Sequence, residues 1–395
     1  MKVGIYIASI SSDAGGGYTY QDTIIRELGS MRSKHEIYIF HYGSRPITGQ
    51  NERLHFVQLE PYSIFSLYSV WWIVKNIYFL FFKLHAPERI NPLARAVSHL
   101  GIDFVIFPTM AYEFIDVPFA ITVWDLQHRL QPFFPEVSKE GWTWSVREKY
   151  YQRVLPLAAY IITGTKEGKD EIKQFYGVHE SRFYQFGHPT PAYVLDESIH
   201  EDKSILKQIS SPYLFYPAQF WPHKNHIVLL KALKILQKTY HVNNLSLVFT
   251  GSDKGNLQYI KNIIHEYHLG QHVHILGFVT QNQMKSLYKN AQALVYPTLF
   301  GPENLPPLEA MALECPCIVS DVPGAREQYG NSVQYVDSTD ETKWAKVMSD
   351  MMNGKNRLIL MSRGRKRALA WTGRDFVCGL IRMIEAFEKY KRTWK

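Results

Sequence analysis

The chain alternates short apolar, β-rich runs with longer stretches of helical period, and it does so twice with a break between. Runs of four to six apolar residues bounded by turn residues suit strands buried on both faces, which is the situation in a parallel sheet covered by helices. In the first half the spacing predicts strands over 2–9, 36–40, 104–107, 120–123 and 160–163, and helices over 18–28, 142–157 and 166–176. Residues 186–211 lose this periodicity and carry Gly187, Pro189 and Pro191, so they read as a connector. The pattern then restarts, with strands over 213–216, 245–250, 273–276, 293–296, 318–320 and 334–336. Ile227, Leu230, Leu233 and Leu236 mark one helix of this half, and another begins near Pro307. At 395 residues the chain exceeds one ordinary core. The division expected is a first domain over 1–190, a second over 205–370, and a C-terminal helix over 371–395 that crosses back to the first.

A hydrophobic fraction of 46% with 20% charged residues describes a globular protein. The net charge of +8 favours anionic partners. No dense basic run or nucleic-acid motif accompanies it, which sets nucleic acid aside. Cys315 and Cys317 flank Pro316 without a second metal-like pair, so they read as buried thiols, and no metal site is expected. The opening MKVGIYIASI reads as a strand without a signal-peptide cleavage pattern, and a cytoplasmic location is expected.

The stretch from Ile64 to Leu84 is almost continuously apolar and aromatic. Its length would permit a membrane span, but Lys75 and Asn76 at its middle would be costly there. Its tryptophans and tyrosines suit an interface. Three placements stand open: a helix of the first domain, a helix lying on the inner membrane face, and a span.

Four places could carry chemistry. Gly15, Gly16 and Gly17 follow the first strand, where a bare backbone and a helix N-terminus can approach an anion, although a plain tight turn would look the same. AQFWPHKN (218–225) follows the strand that opens the second half. Lys224 there sits where open α/β sheets bind ligands, and its ammonium can neutralise a diphosphate. YPTLFGPENLPPLEA (296–310) joins a strand to a helix through a Gly/Pro/Asn loop whose amides should face a cleft. Glu309 in it reads as a first-turn carboxylate able to bind paired hydroxyls or merely to complement the dipole. VWDLQHRLQPFFPE (123–136) holds Asp125 and His128, close enough to orient a hydroxyl or take its proton; capping and structural roles are equally open.

Taken in order, AQFWPHKN, FTGSD, ILGFVTQNQMKSLYKNAQALVYPT, FGPENLPPLEAMALECPCIVSDVPGAREQ and YVD resemble the retaining glycosyltransferases of the GT-B fold, family 4, a large group that includes many bacterial polysaccharide and lipid-linked sugar transferases. The resemblance covers nearly the whole chain. It implies an α/β fold of two Rossmann-like domains whose parallel sheets face each other across a cleft. It also implies transfer of a sugar from a nucleoside diphosphate donor to a glycan or lipid-linked saccharide in cell-surface polysaccharide biosynthesis. By match, Lys224 would hold the diphosphate and Glu309 the ribose. The loop amides across Gly301, Pro302, Glu303, Asn304 and Leu305 would hold the sugar, and Gly16 and Gly17 would approach the phosphates. Asp125 would match the aspartate of a His-Asp pair. Three departures stand out: Gly301 where the first of two paired glutamates is usual, Gln219 where a phosphate-binding arginine is usual, and Trp124 in place of the histidine. The alternatives are a sugar-nucleotide epimerase, a phosphorylase, or a donor-binding scaffold without turnover. No cofactor beyond the donor is expected, since charge on the leaving diphosphate can be met by Lys224, loop amides and helix N-termini.

Overall fold

The structure, a computed structural model, describes residues 1–8, 15–43, 52–60, 91–139, 142–209, 212–354 and 356–394. The stretch from Ile64 to Leu84 lies outside them. Among the described residues no helix is long and apolar enough to cross a membrane.

The first sheet is built from β1 (Lys2–Ile7), β2 (Glu36–Tyr42), β3 (Leu54–Leu59), β4 (Phe104–Phe107), β5 (Phe119–Thr122), β6 (Tyr160–Thr163) and β7 (Phe183–Gln185), in the order β3-β2-β1-β4-β5-β6-β7. The second holds β8 (Tyr213–Pro217), β9 (Ser246–Thr250), β10 (Val273–Ile275), β11 (Ala293–Tyr296), β12 (Cys317–Ser320) and β13 (Gln334–Val336), in the order β10-β9-β8-β11-β12-β13. Every registered pair is parallel, for example Ile5 with Ile39 and Leu294 with Cys317. FVIF, FAIT and YIIT in the first sheet and ALVY and CIVS in the second are buried at every position, as strands covered on both faces must be. Cys315 and Cys317 are buried free thiols.

Two strands escape the sequence reading. In β3, LHFVQL, only the terminal leucines are buried, and β7 is three residues long with Gln185 exposed. Both are edge strands, where half-burial erases the apolar run. The helix Pro92–Leu100 also escapes it, although its signals are in the sequence. Asn91 caps it by accepting from the N–H of Ala94 at 2.7 Å, proline occupies its first turn, and Gly101 ends it at φ 64°.

The strand order reverses between β1 and β4 in one sheet and between β8 and β11 in the other. Loops at the carboxyl ends beside such a reversal diverge and leave a crevice. The chain crosses between the two sheets twice. Thr190 donates its N–H to Trp371 O at 3.0 Å and pairs with Thr372, so the two crossings run side by side. After the second crossing the helix Gly373–Lys391, capped by Thr372 and Asp375, lies against the first sheet: Phe387 contacts Phe104 at 4.6 Å between ring centroids, and Lys391 is paired with Asp103.

Candidate active site

Loops at the carboxyl ends of strands from both sheets, after β5 and β7 in the first and after β8 and β11 in the second, meet around a cavity of about 370 Å³. From the first domain it is lined by Trp124, Asp125, Glu136, Arg147 and His188; from the second by His223, Lys224 and Gly301 to Asn304.

Lys224 ends a short 3-10 turn, Pro222–Lys224, whose backbone is tied down by Tyr216 Oη donating to Lys224 O at 2.6 Å. Asn225 follows at φ 54°, a conformation asparagine tolerates, and its amide donates to Pro297 O at 3.1 Å and Ser338 O at 2.7 Å. The residue pair Lys-Asn therefore turns the chain into the helix His226–Thr239 and fixes the lysine at the cleft. Lys224 Nζ donates to Tyr296 Oη at 3.3 Å, Tyr296 Oη donates to Asn304 Oδ1 at 2.9 Å, and Asn304 Nδ2 donates to Gly301 O at 3.0 Å. This relay couples the ammonium to the loop before the helix Leu305–Ala312. Burial lowers the Lys224 pKa to about 8, against the opposing pull of Asp125 and Glu136. An ammonium so poorly solvated gains most from an anionic ligand.

Gly301 has φ 131°, where only glycine is at ease, and an added Cβ would lie 3.0 Å from Asn304 Oδ1. A side chain at this position would be strained in that conformation. Two residues on, Glu303 turns away from its own domain. Its Oε1 accepts from the N–H of His188 at 2.6 Å and its Oε2 bonds His188 Nδ1 at 2.8 Å. The pair stands between the cleft and a second cavity of about 320 Å³ that includes Gly164, Glu327 and Trp371.

One sequence expectation needs correction, and other side chains singled out in the sequence are engaged within the protein. Glu309 is the fifth residue of its helix, not a first-turn residue, because Pro306 and Pro307 occupy the first turn, where no N–H is needed. The residue is 6% exposed, its carboxyl group accepts from Tyr288 Oη at 2.5 Å, and it does not line the cleft cavity. Burial raises its pKa to about 7, although bonds from Tyr288 and Tyr193 oppose the rise. His128 is fully buried, stacked on Tyr151 and bonded to Glu148 and Tyr176 at 3.2 Å each. Burial lowers its pKa, and it does not line the cleft cavity either, so it belongs to the core that carries the cleft loop. Gln219 spends its side chain locally, donating to Ser252 Oγ at 3.2 Å and accepting from Trp221 Nε1 at 3.0 Å. The N–H of Asn304 donates to Gln328 Oε1 at 2.9 Å.

Asp125 does line the cleft. Its Oδ1 accepts from the N–H of Gln127, two residues on, at 2.9 Å and from Arg147 at 3.1 Å, so one oxygen holds the local turn and forms an ion pair at once. Gly16 and Gly17 open the helix Gly16–Ser30, and a Cβ on Gly16 would lie 3.6 Å from Leu305 of the second domain.

The residues missed from the sequence are His188, Arg147, Glu136 and His223. Glu136 bonds His223 across the cleft, 87 positions away. Nearby, Gln131 Nε2 donates to Leu299 O at 3.1 Å, a tie from the same first-domain loop to the loop after β11. No local pattern marks such pairs, since each partner alone is an ordinary polar loop residue.

Two Rossmann-like domains with parallel sheets, facing each other across a cleft of this kind, are the GT-B fold. Solved structures of the same fold include a sucrose-phosphate synthase from Thermosynechococcus elongatus, at TM-score 0.70 and 13% identity, covering 99% of each chain. Another is the Anabaena protein HepE in complex with UDP and glucose, at TM-score 0.68 and 13% identity, covering 98% of this chain and 100% of that one. Residues 198–367 match the family model described as glycosyl transferases group 1. The O-antigen chain mannosyltransferase RfbU of Salmonella typhimurium is 27% identical over 228 residues, 57% of this chain and 59% of that protein. An O-antigen chain mannosyltransferase B of Escherichia coli is 23% identical over 225 residues, 56% of this chain and 59% of that one. The match thus spans under two thirds of either relative.

Proposed function

We propose that the protein transfers a sugar from a nucleoside diphosphate donor to a hydroxyl of a saccharide or lipid-linked saccharide, with retention of configuration, in the making of a cell-surface polysaccharide. Residues 205–370 would bind the donor and residues 1–190 the acceptor. The observation that carries this reading is one cleft in which the half-buried Lys224 ammonium of the second domain faces Asp125 of the first. Glycosyl transfer breaks a bond to a diphosphate, and a poorly solvated ammonium stabilises the charge that grows there. The group 1 match over 198–367 and the two O-antigen mannosyltransferases support the reaction class and the polysaccharide setting. Lys224, loop amides and the end of the helix Leu305–Ala312 would meet the leaving group without a cofactor. The protein would work in the cytoplasm, touching the inner membrane face through the segment from Ile64 to Leu84.

Thermal stabilisation by GDP-mannose, UDP-glucose, GDP and UDP tests the reading, because a ligand bound at 100 times its Kd adds about 2.7 kcal/mol. No stabilisation by any nucleotide sugar in a broad panel would end it. A second reading, donor binding without turnover, rests on Gln219 and the Asn304 N–H being engaged within the protein. It predicts stabilisation with no nucleoside diphosphate released.

A further inference from the structure

Glu136 and His223 come from opposite domains and meet only at the cleft. Glu136 sits in the short helix Pro135–Ser138, two residues after Phe134, whose ring lies edge-on to the imidazole at 6.3 Å. His223 lies in the turn beside Lys224, and its carbonyl is held by the N–H of Leu299 at 2.8 Å. The Glu136 Oε1 bonds Nδ1 of His223, and both side chains are nearly buried, 5% and 12% exposed. Gln127 Nε2 also reaches Glu136 Oε1 at 3.4 Å, whereas Oε2 is buried without a partner. Nε2 of His223 makes no hydrogen bond among the described residues, and the ring lines the cavity with Asp125 and Lys224.

We propose that Glu136 and His223 form a cross-domain carboxylate–imidazole dyad in which Nε2 of His223 accepts the proton of the acceptor hydroxyl. The inference rests on the glycosyl-transfer reading and adds to it the base and its orienting group. Nδ1 donates to the carboxylate, which fixes the tautomer and leaves the Nε2 lone pair toward the cleft. In the step, the acceptor O–H bond breaks and its proton goes to Nε2. The oxygen bonds the anomeric carbon on the face that the diphosphate leaves, so configuration is retained, and the bond from that carbon to the diphosphate breaks, its electron pair leaving with the phosphate oxygen beside Lys224. The imidazolium formed is balanced by Glu136 and gives its proton to water when the cleft opens. Because the two halves belong to different domains, the base is complete only when the cleft is closed, which keeps water from being activated in an open enzyme.

The charged and titratable groups acting on His223 are Lys224 from its own turn, and Glu136 and Asp125 from the first domain. Burial and Lys224 lower its pKa, while Glu136 and Asp125 raise it. The ring is therefore neutral and able to accept a proton at neutral pH.

Two measurements test the dyad on the intact protein. Nitrogen-15 NMR of histidine-labelled protein should show His223 as the Nδ1–H tautomer at pH 7, and Glu136→Gln should abolish that preference. A resting Nε2–H tautomer or a charged ring at pH 7 overturns the proposal. In the second, release of nucleoside diphosphate is followed with GDP-mannose or UDP-glucose as donor and octyl α-mannoside or water as acceptor. His223→Gln, which can still donate to Glu136, should lower kcat roughly 100-fold or more with the donor KM within about threefold. Glu136→Gln should move the acidic limb of the kcat profile to lower pH. Loss of turnover below twofold in His223→Gln, or an unmoved acidic limb in Glu136→Gln, overturns the dyad while leaving glycosyl transfer intact. If the unsubstituted protein releases no product from any donor, the transfer reading fails instead and the NMR result alone decides whether the dyad exists.

Discussion

Glu303 and His188 join the two domains through a pair of hydrogen bonds, 2.6 Å from the main-chain N–H and 2.8 Å from Nδ1, with the carboxylate only 4% exposed. The carboxylate lies where two glycines leave room. A Cβ on Gly164 would lie 1.3 Å from Oε2, and one on Gly187 would lie 3.3 Å from Oε1. His188 is itself braced by Tyr20 at 5.0 Å and Trp124 at 6.0 Å between ring centroids. Trp124 thus supports a histidine from another loop in the position where the family resemblance led one to expect a histidine in the chain.

Gly164→Ala should expel that carboxylate and loosen the closed arrangement. Hydrogen bonds to a charged group contribute about 1.5–3 kcal/mol, so a fall in Tm of several degrees is expected. Small-angle scattering should show a larger radius of gyration for the variant. Unchanged values of both would mean that Glu303 does not hold the domains together.

Nucleotide affinity should depend on pH through Lys224. Its pKa of about 8 in the free protein must rise when a diphosphate binds, so binding takes up a proton near pH 8. Affinity is then greatest below pH 8 and falls as the pH rises through and above it. Calorimetry in buffers of different ionisation enthalpy measures the proton uptake. Lys224→Ala should weaken binding by about 10- to 100-fold and remove the pH dependence.

Glu309 makes an opposite, purely conformational prediction. Its folded pKa of about 7 lies above the usual 4.5, so the folded state binds more protons than the unfolded one. Stability should therefore fall as the pH rises from about 4.5 to 7, by something on the order of 3 kcal/mol. Glu309→Gln, which keeps a hydrogen-bonding group for Tyr288, should flatten this part of the profile in urea unfolding. A profile identical to that of the unsubstituted protein would show that the carboxyl group titrates normally.

His128→Leu should cost about 1–3 kcal/mol through the loss of its bonds to Glu148 and Tyr176, with nucleotide Kd unchanged. The Arg129–Glu148 ion pair beside it would also lose a neighbour. A variant of normal stability but altered Kd would return His128 to the site.

The architecture was legible because a strand buried on both faces must be apolar throughout. FVIF, YIIT and ALVY stand at the predicted positions, and the helix over 166–176 matches Lys166–Tyr176. The edge strands β3 and β7 were not, since half-exposed strands carry no such demand. Lys224 and the loop of Gly301 to Asn304 could be found for a topological reason: both follow strands beside a reversal of strand order. By contrast, Glu309 and His128 drew attention as titratable residues in suggestive contexts, and burial assigned them to the interior.

By itself the sequence determined two parallel sheets and which strand ends carry polar loops, because burial and turn chemistry act on residues near one another in the chain. Which polar side chains share the cleft was decided only by tertiary structure. Glu303 with His188 and Glu136 with His223 lie 115 and 87 positions apart. Their pairing follows from how two domains close, and no local property of either residue encodes that distance.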